Sequence, residues 1–234
     1  MKIFRFMSYK EFEKYMNGEN IYNNTKHKAK TNSIGFCFFD INDFSPEFAW
    51  RFLKGAIFPD ICVVFEVDET LLRKGYGIYT CNNKKIGVID LIGRTDMNVL
   101  SENPFTVADE LVQKLSKECD MIFVEFHAEA TAEKIAMAQY LDGRVTAVYG
   151  THTHVQTADD QILEKGTAYI TDIGMTGPYN SVIGMDRGAS IKRFVTSLPE
   201  RYKLADGNCM LNGCIFEVND ENCRVMKINR IIRK

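Results

Sequence analysis

Gly150-Thr151-His152-Thr153-His154-Val155-Gln156-Thr157 is the stretch on which the reading of this chain turns. It follows an apolar run, Val145 to Tyr149, that reads as a buried strand. Two histidines therefore stand where a strand gives way to a loop, the place where α/β enzymes gather their chemistry. A third, His127, closes a similar run, Met121 to Phe126, in Phe126-His127-Ala128-Glu129. The whole chain has four histidines, so these strand ends hold most of its imidazole. Imidazole is the commonest metal ligand and binds as the neutral base. The pattern reads as part of a metal centre. The plain alternative is a polar pair at a strand end, with both rings of an H-x-H on one face. A dinuclear hydrolytic centre also needs carboxylates, which the histidine spacing does not supply.

Working outward, composition narrows the choices. With 234 residues the chain suffices for one large domain or two small ones. A net charge of −2 gives no electrostatic case for bulk nucleic acid as a partner, but leaves room for a small nucleotide. No apolar run is long enough to span a bilayer, and Met1-Lys2-Ile3-Phe4-Arg5 does not open a signal peptide. The expectation is a cytoplasmic protein. Cys37, Cys62, Cys81, Cys119, Cys209, Cys214 and Cys223 form no C-x-x-C pair, and several sit inside apolar runs. They read as reduced, mostly buried thiols.

In chain order, Lys2 to Phe6 reads as a strand and Ser8 as the N-cap of a helix. Ile21 to Asn32 is polar and basic, with His27 a solvated side chain. Ser33 to Phe39 is a strand, Ser45-Pro46-Glu47 opens a helix, and Ile61 to Val67 is a strand. Gly77 to Thr80 and Lys85 to Ile92 pair around Asn82-Asn83 as a hairpin. Thr106 to Lys117 has helical periodicity, and Thr131 starts another helix. Strands follow at Val145 to Tyr149 and Ala168 to Ile173, the latter opening into Gly174-Met175-Thr176-Gly177-Pro178. Ile191 to Thr196 reads as a short helix, and Arg201 to Leu204, Met210 to Val218 and Arg224 to Ile232 as closing antiparallel strands. Strand–helix–strand alternation followed by antiparallel strands argues for a layered α/β fold. Its ligand side lies where His127, His152, His154, Asp172 and the loop from Gly174 gather.

From about Gly75 onward the chain resembles the bacterial YmdB-like metallophosphoesterases, calcineurin-like phosphodiesterases associated with 2′,3′-cyclic nucleotides. The matching stretches are Gly93-Arg94-Thr95, Phe126-His127-Ala128-Glu129-Ala130-Thr131, Gly150 to Asp159, Gly166 to Pro178, and Gly184-Met185-Asp186. They are collinear and cover about two-thirds of the chain. The resemblance implies an α/β/β/α sandwich with a two-metal centre. Carried over by position, it assigns His127 and His152 to one metal and His154 to the other. It also implies a divalent ion (Mn, Fe, Zn or Mg), up to two per chain, and a small cyclic nucleotide as substrate. Glu129, Asp172, Gly174 and Thr176 are candidates for second-layer or substrate-loop roles, with Glu129 or Asp159 orienting an imidazole.

The first 74 residues depart from that family. There is no N-terminal Gly-Asp loop and no Gly-Asn-His segment, so the catalytic residue is unassigned. Gly18-Glu19-Asn20 makes Glu19 and Asn20 further candidate ligands, although they follow a helix rather than a strand. The opening also has a weak similarity to ADP-ribosyltransferase-like domains, in which Arg5 and Ser33 would help to hold NAD. The expectation is a divergent or foreign α+β segment over 1–74, joined near Arg73-Lys74-Gly75 to the C-terminal part of a metallophosphoesterase domain over 75–234. Function is expected to be metal-dependent phosphodiester hydrolysis. The alternatives are a non-catalytic remnant binding at most one metal and an NAD-binding N-terminal segment. Missing family strands would leave sheet edges open and favour a homo-oligomer.

Overall fold

The computed structural model describes residues 33–38 as backbone, and residues 75–97 and 101–234 in full. The expectations placed on 2–32, 39–74 and 98–100, including those for Arg5, Glu19, Asn20 and His27, lie outside the described residues. Strand β1 (Ser33–Phe38) pairs antiparallel with a C-terminal strand, Phe36 opposite Phe216.

The first fully described unit is the hairpin of β2 (Tyr76–Cys81) and β3 (Lys84–Ile92). Its two-residue loop holds Asn82 at φ +46° and Asn83 at φ +64°. Positive φ at both central residues is the type I′ geometry that matches strand twist, and asparagine tolerates it. Helix α1 (Pro104–Leu115) begins two residues before the periodicity predicts. Asn103 caps it by accepting from Phe105 N at 3.0 Å, and Pro104 occupies a position where its missing N–H costs nothing. Next come β4 (Met121–His127), α2 (Thr131–Leu141), β5 (Ala147–Thr151), and the short β6 (Gln161–Ile162) and β7 (Ala168–Ile170). The chain closes with β8 (Gly177–Pro178), α3 (Arg187–Thr196), β9 (Cys209–Asn219) and β10 (Val225–Arg233).

Six strands form one sheet in the order β2-β3-β4-β5-β7-β6, with β3, β4, β5 and β7 parallel. The inner strands β3, β4, β5 and β7 carry apolar residues on both faces, as burial on both sides requires. Ile89, Leu91, Val124, Phe126 and Val148 face Ala108, Val112 and Leu115 of α1 and Met137 and Leu141 of α2. Ile86, Val88, Phe123, Tyr149 and Ile170 face Cys214, Phe216 and Val218 of β9. There Phe123 and Phe216 meet with ring centroids 5.8 Å apart. The second sheet runs β1-β9-β10, with β8 also on β9. The result is a helix layer and two stacked sheets, the first three layers of the expected sandwich. Helix α3 buries no residue and leaves Phe194 and Val195 open, so it adds no packed fourth layer.

Two expectations need correction. Arg201 to Leu204 is not a strand; Leu204 makes one isolated bridge to Met185. The strand from Ala168 ends at Ile170 rather than Ile173, because Thr171 and Asp172 turn their backbone toward Asp159 and Thr157. Cys81, Cys119, Cys209, Cys214 and Cys223 are all free thiols. No helix among the described residues is long and apolar enough to cross a membrane.

Candidate metal centre

Because β3, β4 and β5 run parallel, their carboxyl ends share one edge, and the histidines are there. His127 ends β4 directly opposite Thr151, which ends β5. Glu125 and His127 project to the same side of the strand, two residues apart. This makes a relay across the edge. The Thr151 hydroxyl donates to Glu125 Oε1 at 3.1 Å, and His127 Nδ1 sits 2.9 Å from Thr151 Oγ1. A hydroxyl that donates its only proton to a carboxylate must accept from the imidazole. With the Thr151 proton on Glu125, a neutral His127 donates through Nδ1 and turns its Nε2 lone pair toward His152.

His152 completes the pair. Its Nδ1 lies 3.0 Å from His127 Nε2, with the two rings edge to face at 4.7 Å. On its other side, the Glu129 carboxylate lies 3.2 Å from Nε2, which favours the proton there. The two facing ring nitrogens can then be joined either by a proton between them or by one metal ion. Metal–nitrogen bonds of about 2.0–2.1 Å hold neighbouring ligand nitrogens at about this separation. The carboxylate behind the imidazole is the usual outer support of a metal-binding histidine. The residues present thus fit one ion as a pair of nitrogen donors. Among the described residues, no group of three or more His, Cys, Asp or Glu side chains converges on one ion position.

His154 goes elsewhere. Both His152 and His154 lie past the end of β5, at φ +97° and +64°. The alternation that would set both rings on one face therefore does not apply. His154 Nδ1 meets the carbonyl of Ile183 at 3.0 Å, which leaves its Nε2 as the lone-pair side.

The loop is fixed from below and behind. Asp172, almost fully buried, accepts from Thr153 N at 3.1 Å and Thr153 Oγ1 at 2.7 Å through Oδ2, and from Gly174 N at 2.9 Å through Oδ1. Gln156 Nε2 lies within hydrogen-bond reach of the carbonyls of Ile173, Gly213 and Ile231, so one side chain ties the loop to the second sheet. Asp159 takes hydrogen bonds from Thr157 Oγ1 and from Thr171 through N and Oγ1. Burial pushes the Asp159 carboxyl up, but these hydrogen bonds outweigh it and hold it below the usual carboxylate range. Gly174 sits at φ +79°, where an added Cβ would lie 2.9 Å from the Asn212 and Gln156 side chains.

The model of the family described as YmdB-like protein matches residues 61–231. The chain belongs to that family. A 2′,3′-cyclic-nucleotide 2′-phosphodiesterase from Bacillus subtilis is 52% identical over 159 residues, which cover 68% of this chain and 60% of the relative. A solved structure of a hypothetical protein from Thermus thermophilus superposes with TM-score 0.63 at 38% identity, covering 68% of this chain and 62% of that one. A phosphatase from Mycoplasma pneumoniae gives TM-score 0.63 at 40% identity, covering 68% and 58%. The chain spans about three-fifths of the length of these relatives.

Within this YmdB-like fold the sequence-predicted site residues divide. His127, His152 and Glu129 come together, and Asp172 and Gly174 meet behind them. His154 is on the same loop but turned toward Ile183. Thr176 Oγ1 is buried without a hydrogen-bond partner and touches none of the histidines by hydrogen bond. Among the described residues Asp159 meets no imidazole; it braces Thr157 and Thr171 instead. Ser33 lies in β1. Sequence reasoning passed over Thr151, Glu125, Gln156 and Lys134. A signal existed for Glu125, two residues before His127 in a strand and so on the same face. Thr151 and Gln156 lay in the quoted motif, but as neutral polar residues they gave no cue of their own.

Proposed function

We propose that this chain is the histidine-bearing part of a metal-dependent phosphodiesterase that acts on small cyclic nucleotides. The observation that carries this reading is the approach of His127 Nε2 and His152 Nδ1 to 3.0 Å at the carboxyl edge of the parallel sheet. The activity named for the Bacillus subtilis relative supports the substrate class. His127 and His152 would hold one divalent ion, and His154, through Nε2, would offer a ligand to a second. When bound, such ions neutralise charge on phosphoryl oxygens and acidify water. The chain's own part is orientation. Glu125 and Thr151 keep the proton on His127 Nδ1, and Glu129 does the same for His152 Nε2. The ions in view are Mn, Fe, Zn or Mg.

The test is elemental analysis of the purified chain together with hydrolysis of bis-p-nitrophenyl phosphate and of a 2′,3′-cyclic nucleotide in added manganese. Bound metal with turnover that disappears in His152→Ala supports the reading. If metal binds without turnover above that control, the chain is a metal-binding remnant. If no metal binds to the wild-type chain, the reading fails.

A further inference from the structure

Beneath the histidine loop lies a charged pair that the proposed chemistry does not use. Lys134 of α2 donates through Nζ to Asp172 Oδ2 at 2.9 Å, and both side chains are 1% exposed. Burying two charges is expensive, and such a pair is weak evidence for stability, since apolar replacements often serve as well. The pair needs a reason beyond holding the fold together, and its contacts supply one. The oxygen that meets Lys134 also accepts from Thr153 N and Thr153 Oγ1. Thr153 is the residue between His152 and His154, both held at positive φ. The other oxygen takes Gly174 N, so one carboxylate clamps both loops at this edge.

Access to that carboxylate is built into β5. Lys134 approaches from α2, on the helix side of the sheet, and Asp172 follows β7. The lysine stem passes over Gly150, where an added Cβ would lie 2.8 Å from Lys134 Cδ and 1.8 Å from the Thr171 carbonyl oxygen. Gly150 thus clears the path along which an ammonium reaches the underside of the loop.

We propose that Lys134 is a positioning residue for the histidine loop. Through Asp172 it fixes Thr153, and with it the rings of His152 and His154, in the arrangement that receives metal. The role rests on the reading of this loop as a metal site, and the experiment separates the two. Lys134→Met keeps length and removes charge. Leu141→Ala, a core change in the same helix and away from the loop, serves as a control for general destabilisation. Manganese and zinc affinities are measured calorimetrically on the folded full chain, well below each variant's Tm. Amide hydrogen exchange is followed at Thr153 and Gly174.

Lys134→Met is expected to weaken metal binding by about 10–100-fold and to speed exchange at Thr153, while Leu141→Ala lowers Tm without either change. If Lys134→Met does not fold, the double variant Lys134→Met/Asp172→Asn, which leaves no unpaired charge at this position, takes its place. It is expected to regain stability without regaining metal affinity. Wild-type affinity and unchanged Thr153 exchange in a folded Lys134 variant would overturn the role, as would an equal loss in Leu141→Ala. If the wild-type chain binds neither ion, the metal reading falls, and Thr153 exchange alone decides whether Lys134 holds the loop.

Discussion

The Asn82-Asn83 turn and the His152-Thr153-His154 loop both place non-glycine residues at positive φ, and they reach it by opposite routes. The asparagines stand at +46° and +64° at the tip of an exposed hairpin. Their short polar side chains make the left-handed region tolerable, and the twist of the flanking strands selects it. The histidines stand at +97° and +64°, half-buried, at the carboxyl edge of a parallel sheet. Histidine visits that region more often than most residues, but here the conformation does not rest on the side chain alone. It is held by Asp172 on Thr153, by Gln156 on the second sheet and by Lys134 below. One turn is fixed by the residues within it. The other is imposed by residues up to 75 positions away in sequence, Gln156 reaching the carbonyl of Ile231. Strain of this kind persists where surrounding structure over-determines it, and it concentrates at functional sites.

That contrast breaks most completely at Gly150. Gly150→Ala drives a methyl into the Thr171 carbonyl and the Lys134 stem. It is expected to cost more than about 4 kcal/mol, read by urea unfolding. A loss under about 1 kcal/mol would show that β5 can move aside. Thr153→Val keeps shape but removes the hydroxyl that Asp172 accepts. The expected loss is about 1–3 kcal/mol, and metal affinity should fall with it in calorimetry.

His152→Gly sharpens the comparison from the other side. Glycine takes φ +97° without strain, so the variant should be more stable by about 1 kcal/mol while losing metal binding. A stability loss in thermal unfolding would mean that the lost contacts to His127 and Glu129 and the entropy of glycine outweigh the strain.

Acid probes the bracing behind the loop. The Asp159 carboxyl is held below its ordinary range in the folded chain, where hydrogen bonds from Thr157 and Thr171 outweigh burial. Its contribution is therefore complete above the unfolded value of about 4 and is lost as pH falls through the lower folded value. The wild-type chain should lose stability more steeply below about pH 4 than Asp159→Asn, measured by denaturant titration at each pH. Parallel curves would remove Asp159 from the bracing. The smallest effect belongs to the hairpin. Asn83→Gly, which completes the preferred Asn-Gly pair, should change stability by less than about 0.5 kcal/mol and leave metal affinity untouched.

Much of the fold was legible because its signals are local. The runs at β3, β4 and β9 are long and apolar, Asn82-Asn83 marks its own hairpin, and alternation of strand and helix gives the layers. The short strands β6 and β8, of two residues each, carry no periodicity to read. Arg201 to Leu204 looked like a strand because its composition fits one, yet among the described residues no neighbour offers it a ladder beyond the bridge to Met185. At the site, His127 and His152 were readable as rare residues at strand ends, and Glu129 through its place in the motif. Lys134 was not, since a lysine three residues into a helix reads as solvent-facing until something crosses over it.

The sequence alone determined which residues carry donor chemistry and that they sit at strand ends, because strand length, hydrophobic period and residue type are local properties. Tertiary structure alone decided which nitrogens face each other. Only the lateral register of β4 on β5 sets His127 beside Thr151. Only the packing of α2 over Gly150 brings Lys134 to Asp172. The direction of an imidazole lone pair depends on what hydrogen-bonds to its other nitrogen, and here that partner comes from another strand or loop.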